Sequence, residues 1–235
     1  MNVVKLHATG STNDALKLRF RESVIPHLTV LYTNSQLQGR GQRGTTWQSE
    51  DGKNLTFSVL IMDNLNGLSV FQLNQIVSVA LAQWLSENYQ IQAKVKWPND
   101  ILSVKKKLAG ILIETVFKKQ HLDHAIVGIG LNVNQTEFHN LPHAISMSQL
   151  TGETYDLEEL LFSFIHHLTA ALSNPLLLLN EYNDYLFKFN QESDFQVDNT
   201  VFTALVNGVN NNGQLLLTHQ NEQHTYDVKT IKWCL

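Results

Sequence analysis

Three glycines and two arginines fall within six residues, Gly39-Arg40-Gly41-Gln42-Arg43-Gly44, between two apolar runs that read as strands. Glycine permits positive φ and close approach of backbone N–H groups to an anion. Arginine adds planar, permanently charged forks for phosphate or carboxylate oxygens. The pattern is not a Walker loop, since no Gly-Lys-Ser/Thr follows, and it lacks dinucleotide-fingerprint spacing. Taken alone it fits an anion site, a surface turn or a nucleic-acid patch. Charge weighs against the last reading: 17 Lys and Arg face 21 Asp and Glu, a net charge of -4, and no basic surface with interleaved aromatics is available.

A chain of 235 residues, 43% hydrophobic and 16% charged, can bury a sizeable core as one large domain or a large and a small one. Cys234 is the only cysteine, so neither an intrachain disulfide nor a cysteine zinc site can form. The histidines show no H-E-x-x-H pattern, and His121 and His124 read as solvated residues of a polar turn. No signal-peptide core follows Met1, and no apolar run approaches the ~20 residues of a membrane span. A cytoplasmic protein that binds neither membrane nor DNA is expected.

Apolar periodicity predicts strands at Val3 to Ala8, Thr29 to Thr33, Leu55 to Met62, Ala93 to Trp97, Leu108 to Phe117 and Ala125 to Asn132. The last two form a hairpin turning at Lys118-Lys119-Gln120. Ser11 is suited to N-cap a helix through Arg21, with Asp14 in its first turn. Leu73, Ile76, Val77, Ala80 and Trp84 lie at helical spacing within Leu68 to Tyr89. Asp156, with Glu159 as a capping-box partner, opens another helix, and Pro175 restarts the chain into a further apolar segment. Strands and helices mix without strict alternation, so the expected class is α+β with a mixed sheet flanked by helices. Composition shifts to Asn, Gln, Asp and Thr near residue 190. The expected division is therefore a domain at 1–190 and a small C-terminal β-barrel at 191–235, docked on the first because so short a module rarely folds alone.

Four further segments matter: Ser11-Thr12-Asn13, Lys96-Trp97-Pro98-Asn99-Asp100, Lys107-Leu108-Ala109-Gly110-Ile111-Leu112-Ile113-Glu114 and Gly128-Ile129-Gly130-Leu131-Asn132. Each has an ordinary reading, respectively a helix cap, a turn, a strand after a solvated Lys105-Lys106 turn, and tight strand packing. In this order and with the glycine loop ending at Trp47, they resemble the biotin protein ligases, enzymes with a class II-synthetase-like catalytic domain and a small SH3-like C-terminal barrel. The diagnostic motifs cover Gly10 to about Asn134.

The resemblance implies activation of biotin by MgATP to biotinyl-5′-AMP, then transfer to a lysine of a biotin carboxyl carrier protein domain of acetyl-CoA carboxylase or a related carboxylase. It assigns biotin contacts to Ser11, Thr12, Asn13, Gln36, Gly39, Arg40, Gly41, Gln42, Lys107 and Gly110, and adenylate contacts to Arg40, Arg43, Trp47, Asn99 and Asn132. Catalysis falls to Lys107, Arg40 and Asp100, the last as the carboxylate that orients and deprotonates the carrier lysine. Trp97 is left as core. Magnesium is expected to arrive with ATP, with no protein metal cage. The loop from Gln36 to Trp47 is expected to be mobile, because Arg40 and Arg43 have no acidic neighbours in sequence.

Gln42 and Thr45 stand where one version of the loop carries arginines, which reduces the fixed charge facing the adenylate. The chain starts directly in the catalytic motifs, so a monofunctional form without a helix-turn-helix is expected, and a homodimer remains open to it. The alternatives are a lipoate or octanoate transferase of the same architecture, against which the polar Ser11-Thr12-Asn13 cluster argues, and a non-catalytic biotinyl-adenylate-binding regulator. Retention of Lys107 and Asp100 argues against the second.

Overall fold

The computed structural model describes residues 2–234 except Asn64, Asn66, Lys119, Gln120 and Lys229, and omits the side chains of Arg43 and His121. The first half of the chain runs β1 (Asn2–Thr9), α1 (Thr12–Glu22), β2 (Thr29–Gln36), β3 (Leu55–Ile61), α2 (Val70–Tyr89), β4 (Lys94–Lys96), β5 (Asp100–Ser103), β6 (Lys106–Lys118) and β7 (His121–Leu131). Helices α3 (Met147–Thr151), α4 (Leu157–Ser173) and α5 (Pro175–Tyr185) follow. The chain ends in β8 (Glu192–Val197), β9 (Thr200–Val209), β10 (Leu215–His219), β11 (Glu222–Tyr226) and β12 (Lys232–Trp233).

Seven strands form one sheet in the order β1-β2-β3-β7-β6-β5-β4, parallel between β1 and β2 and antiparallel elsewhere. Strand β3 is buried along its whole length, and its alternating side chains divide between two layers. Leu60 joins Leu16 of α1 with Leu31 and Ile126 on one face. Phe57, Val59 and Ile61 face the larger core with α2 and α4, where the Phe164 ring lies 6.0 Å from Phe57 and 5.3 Å from Trp84. The mixed, helix-flanked α+β sheet is the expected one.

Several local expectations need correction. The Ser11 side chain makes no cap hydrogen bond. Asp156 caps α4 with its own carboxylate, accepting from the N–H groups of Glu158 and Glu159 at 2.8 and 3.0 Å, without a reciprocal bond from Glu159. Reciprocal boxes form instead at Ser69 with Gln72 and Ser146 with Gln149. His124 is buried in β7, not solvated: its ring lies 4.5 Å from that of Phe20 and Nδ1 is 2.7 Å from Asp123. The hairpin tip at Lys119 and Gln120 and the His121 side chain lie outside the described residues. Strand β5 was not anticipated, because Pro98-Asn99-Asp100 reads as a turn. It is bounded on its far side by a two-residue turn with positive φ at Val104 and Lys105.

The C-terminal strands form a five-stranded antiparallel sheet in the order β11-β10-β9-β8-β12. Among the described strands β11 and β12 stand at the two ends of this order, and this separate C-terminal sheet occupies the place of the small barrel expected. Phe195, Leu217 and Trp233 belong to the same apolar core as Val95, Trp97 and Phe187. The Trp97 indole N–H donates to the Gly213 carbonyl at 2.9 Å, tying the two sheets together. Among the described residues no single helix is long and apolar enough to cross a membrane; only α4 with α5, bent by 110°, reaches that length and apolarity as a pair.

Candidate active site

Glycine spacing on the sheet makes the floor of a cavity. Gly128 and Gly130 of β7 point to one face, and each leaves room that another side chain fills. A Cβ on Gly128 would meet Asn13 Oδ1 at 2.3 Å, and one on Gly130 would meet Trp47 Cε2 at 2.3 Å. Gly110 of β6 pairs with Gly130 on one side and Asp100 of β5 on the other. The β5–β6 register shifts between Ile101 and Leu102, so Leu108 is an extra residue that turns Lys107 onto the face of Gly110. There a Cβ on Gly110 would stand 3.3 Å from Lys107 Nζ and 3.3 Å from the Trp47 ring. The three glycines therefore make space for an amide, an indole and an ammonium.

One cavity of about 360 Å³ runs over this floor and is lined by Ser11, Thr12, Asn13, Gln36, Arg40, Gly41, Gln42, Trp47, Asn99, Asp100, Lys107 and Gly110. These are most of the residues singled out from the sequence. A second cavity of about 350 Å³ adjoins it and contains Asn132. Thr46, Trp47, Lys96, Asp100 and Lys107 line both, so they stand at the junction. Gly39 lies behind the wall instead of on it; a Cβ there would strike the Trp47 carbonyl at 2.4 Å, and the Gly39 carbonyl accepts the Trp47 N–H at 2.9 Å. The Arg43 side chain lies outside the described residues.

Around Thr12, Asn13 and Gln36 the polar groups are oriented by one another. Gln36 Oε1 accepts from the Thr12 N–H at 2.9 Å and from its hydroxyl at 3.2 Å, which turns Gln36 Nε2 toward Gly39. Asn13 Nδ2 donates to Glu114 Oε2 at 2.7 Å, and Ser58 Oγ donates to Asn13 Oδ1 at 2.6 Å. An acceptor position on Asn13 Oδ1, donors on Gln36 Nε2 and the uncapped Ser11 hydroxyl remain to read a small polar ring. Ser58 was missed from the sequence because a serine in an apolar strand carries no signal; its facing position on β3, opposite Gly128, is the cause of its role.

At the junction, Lys107 Nζ sits 2.6 Å from Asp100 Oδ1 and 5.6 Å from the Trp47 ring centroid, while Lys96 Nζ is 3.7 Å from Asp100 Oδ2. Asn99 does not point freely into the site: its Nδ2 donates to the Ile111 carbonyl at 2.7 Å. Asn132 likewise uses Nδ2 to hold the carbonyls of Ile145 and Lys107 at 3.1 and 3.3 Å, fixing the segment that walls the second cavity. Trp97, expected only as core, is buried and also lines the first cavity, together with Phe195 and Trp233 of the C-terminal sheet.

Arg40 contradicts the expectation of an arginine without acidic partners. Its Nη2 lies 2.6 Å from Asp14 Oδ1 and 3.2 Å from Glu114 Oε2. Both carboxylates are far away in sequence, which is why local reading overlooked them. Burial pushes the Glu114 carboxyl up, but hydrogen bonds from Lys17 and Asn13 and the charges of Lys17 and Arg40 outweigh it and hold the group below its usual range. The loop itself closes on Gly41 N–H to Thr45 carbonyl and on a bridge between Arg40 and Thr46.

Residues 6–132 match the model of the biotin/lipoate A/B protein ligase family. The bifunctional ligase/repressor BirA of Bacillus subtilis is 30% identical over 204 residues, covering 82% of this chain and 62% of that protein. The biotin--[acetyl-CoA-carboxylase] ligase of Paracoccus denitrificans is 33% identical over 134 residues, 54% of this chain and 53% of that protein. The chain thus spans about three-fifths of the length of the Bacillus relative. Among solved structures, the biotin protein ligase from Aquifex aeolicus in complex with biotin and ATP superposes with a TM-score of 0.82 at 24% identity, covering 99% of this chain and 98% of that one. At that identity the likeness is one of fold.

Proposed function

The chain belongs to the biotin/lipoate A/B protein ligase family, and from that premise we propose that it is a biotin protein ligase: it activates biotin with MgATP to biotinyl-5′-AMP and passes the biotinyl group to a lysine of a biotin carboxyl carrier domain. The observation that carries this reading is the pair of adjoining cavities, with a ring-reading polar cluster at the far end of one and Lys107, Asp100 and Trp47 at their junction. A reaction that joins an acyl group to a nucleotide needs two subsites meeting at a cation. Acetyl-CoA carboxylase is the carrier class this reading favours, with residues 1–190 as the catalytic unit and 191–235 as the small module completing its wall.

The ureido ring of biotin enters between Ser11, Asn13 and Gln36, with its carboxylate directed to the junction. Adenine takes the second cavity against the Trp47 ring, beside Asn132 and the Phe138 to Ala144 segment. Lys107, and Arg40 across the cavity, neutralise the repulsion between carboxylate and α-phosphate. The carboxylate attacks phosphorus and pyrophosphate leaves. In the second step the uncharged carrier amine attacks the acyl carbonyl, its proton goes to Asp100, and AMP departs. Magnesium belongs to the ATP substrate. Asp100, the carboxylate at the junction, already holds two lysines, so phosphate oxygens would supply the metal's ligands.

Mass spectrometry of a carrier domain incubated with the protein, biotin and MgATP tests the assignment. One added biotinyl group on one lysine is expected. Addition of a lipoyl or octanoyl group under matched conditions, with none of biotin, overturns it.

A further inference from the structure

Glu114 closes the strand motif that begins at Lys107, yet the reaction outlined above gives it no task. Its position is unusual. Glu114 lies two residues beyond Leu112, which pairs with Gly128, so it projects from the same face on which Asn13 rests. Three donors converge on it from two elements, α1 and the glycine loop. Asn13 Nδ2 at the start of α1 lies 2.7 Å from Oε2, Arg40 Nη2 of the glycine loop lies 3.2 Å from the same oxygen, and Lys17 of α1 bonds Oε1. Its side chain is 25% exposed, so the bonds from Asn13 and Lys17 are partly shielded from water, while that from Arg40 lies at the surface.

Each contact restricts what its partner can offer to a ligand. With Nδ2 committed to Glu114 and to the Leu112 carbonyl at 3.4 Å, Asn13 can meet a ligand only through Oδ1, as an acceptor. An amide free to turn over would present donor and acceptor equally. With Nη2 committed to Glu114 and Asp14, Arg40 keeps Nε–H and the Nη1 pair, which form no hydrogen bond with protein among the described residues. That leaves part of the guanidinium fork for a carboxylate or phosphate. We propose that Glu114 is a positioning residue that sets Asn13 as an acceptor for the ring and Arg40 as a donor for the acyl carboxylate, so that both ends of one substrate are aligned by a single carboxylate. The inference rests on the biotin reading of the cavity.

The role separates from simple support of the fold by its coupling to Arg40. Biotin affinity, measured by calorimetry without ATP, and biotinyl-adenylate formation at saturating biotin and MgATP should be compared in the parent, Glu114→Gln, Arg40→Ala and the double variant. Glu114→Gln should weaken biotin binding and slow adenylate formation by about tenfold each, within the range of coupling between contacting residues. The double variant should be no slower than Arg40→Ala alone. Because Glu114→Gln leaves Lys17 with only the longer contact to Asp14, at 3.9 Å, Glu114→Asp provides a second variant: it keeps the charge, withdraws the carboxylate from Asn13 and Arg40, and should weaken binding in the same direction.

A third arm needs no ligand. Trypsin should cut after Arg40 faster in Glu114→Gln than in the parent, with cleavage at distant sites unchanged, since a guanidinium held by two carboxylates cannot enter a protease pocket. Binding and adenylate formation within about twofold of the parent, or effects of the two substitutions that multiply, overturn the proposal. If the parent itself makes no biotinyl-adenylate, the biotin reading fails, while the tryptic arm still decides whether Glu114 holds Arg40: unchanged cleavage after Arg40 removes it from the role.

Discussion

Gly130→Ala isolates the packing that places Trp47 at the junction. The added Cβ would stand 2.3 Å from Cε2, 2.6 Å from Cζ2 and 2.7 Å from Cδ2 of the indole, whereas ordinary contact begins at 3.4 Å. The closest pair must therefore separate by about 1.1 Å, the difference between those distances. The strand is the stiffer partner, because Gly130 is paired with Thr56 on one side and Gly110 on the other. Trp47 follows the glycine loop and is the part that yields, moving away from the floor into the shared mouth of the two cavities. Overpacking of this kind costs about 1–3 kcal/mol of stability. The larger effect is on chemistry: displacing a wall by about 1 Å can cost roughly 10²-fold in rate, which is about 2.7 kcal/mol of barrier.

Pyrophosphate release at saturating biotin and MgATP measures that loss, and calorimetry with biotin alone should change far less, because the Asn13 and Gly128 end of the cavity is undisturbed. Gly10→Ala is the matched control, as its new Cβ would find only Gln38 Oε1, at 3.7 Å. The Trp47→Ala change should cancel the clash, so the double variant should match Trp47→Ala alone. A folded Gly130→Ala protein with parental adenylate formation would show that the indole does not define the nucleotide wall.

Lys107→Ala should lose about 2.7–4 kcal/mol of transition-state stabilisation, the scale for removing one charge-stabilising donor; near-normal adenylate formation by the folded variant removes Lys107 from its role. Asp100→Asn should slow single-turnover transfer from preformed biotinyl-adenylate more than it slows adenylate formation, because an amide cannot take the proton of the amine. Glu114 has a depressed carboxyl, so its contribution to stability is complete above the usual value of 4.5 and is lost as pH falls from there through the lower folded value. Urea titrations across that acid range should show a shallower decline for Glu114→Gln, and parallel curves for the two proteins contradict the linkage. A chain ending at residue 190 should aggregate or bind biotin poorly, because it strips Phe195, Leu217 and Trp233 from the shared core; a soluble, cooperatively melting truncation that makes adenylate at the parental rate refutes that.

Periodicity located most strands and the long helices, because alternation on β3-like strands and the Leu73 to Trp84 stripe report burial directly. It failed at β5, where Pro98-Asn99-Asp100 carries turn chemistry and the strand that follows is only four residues long. The residues that line the first cavity were legible through motif order, but their mutual arrangement was not. The bulge at Leu108 that turns Lys107 inward is a pairing property of two strands, with no trace in either alone. The acidic partners of Arg40 lie 26 and 74 positions away, so a charge pattern read locally shows an isolated cation. A small module docked on the larger domain was expected, but nothing in the sequence marked Phe195 and Trp233 as lining the cavity; they reach it because the two sheets share one core.

A chain of net charge -4 holds its cationic groups in place by pairing them, Lys107 with Asp100 and Arg40 with Asp14 and Glu114. Pairing fixes long side chains before substrate arrives, so less rotamer entropy is lost on binding. It also makes the first entering anion compete with a carboxylate. On the proposed mechanism that competition has an order. While Lys107 rests on Asp100, the carboxylate is masked and cannot serve an amine. When the ammonium turns to the phosphoryl oxygens of the adenylate, Asp100 keeps only Lys96, at 3.7 Å, and gains an open lone pair beside the acyl carbonyl. The general base is thus exposed by the same movement that completes the first half-reaction, and the carrier lysine finds it only after there is an acyl group to receive.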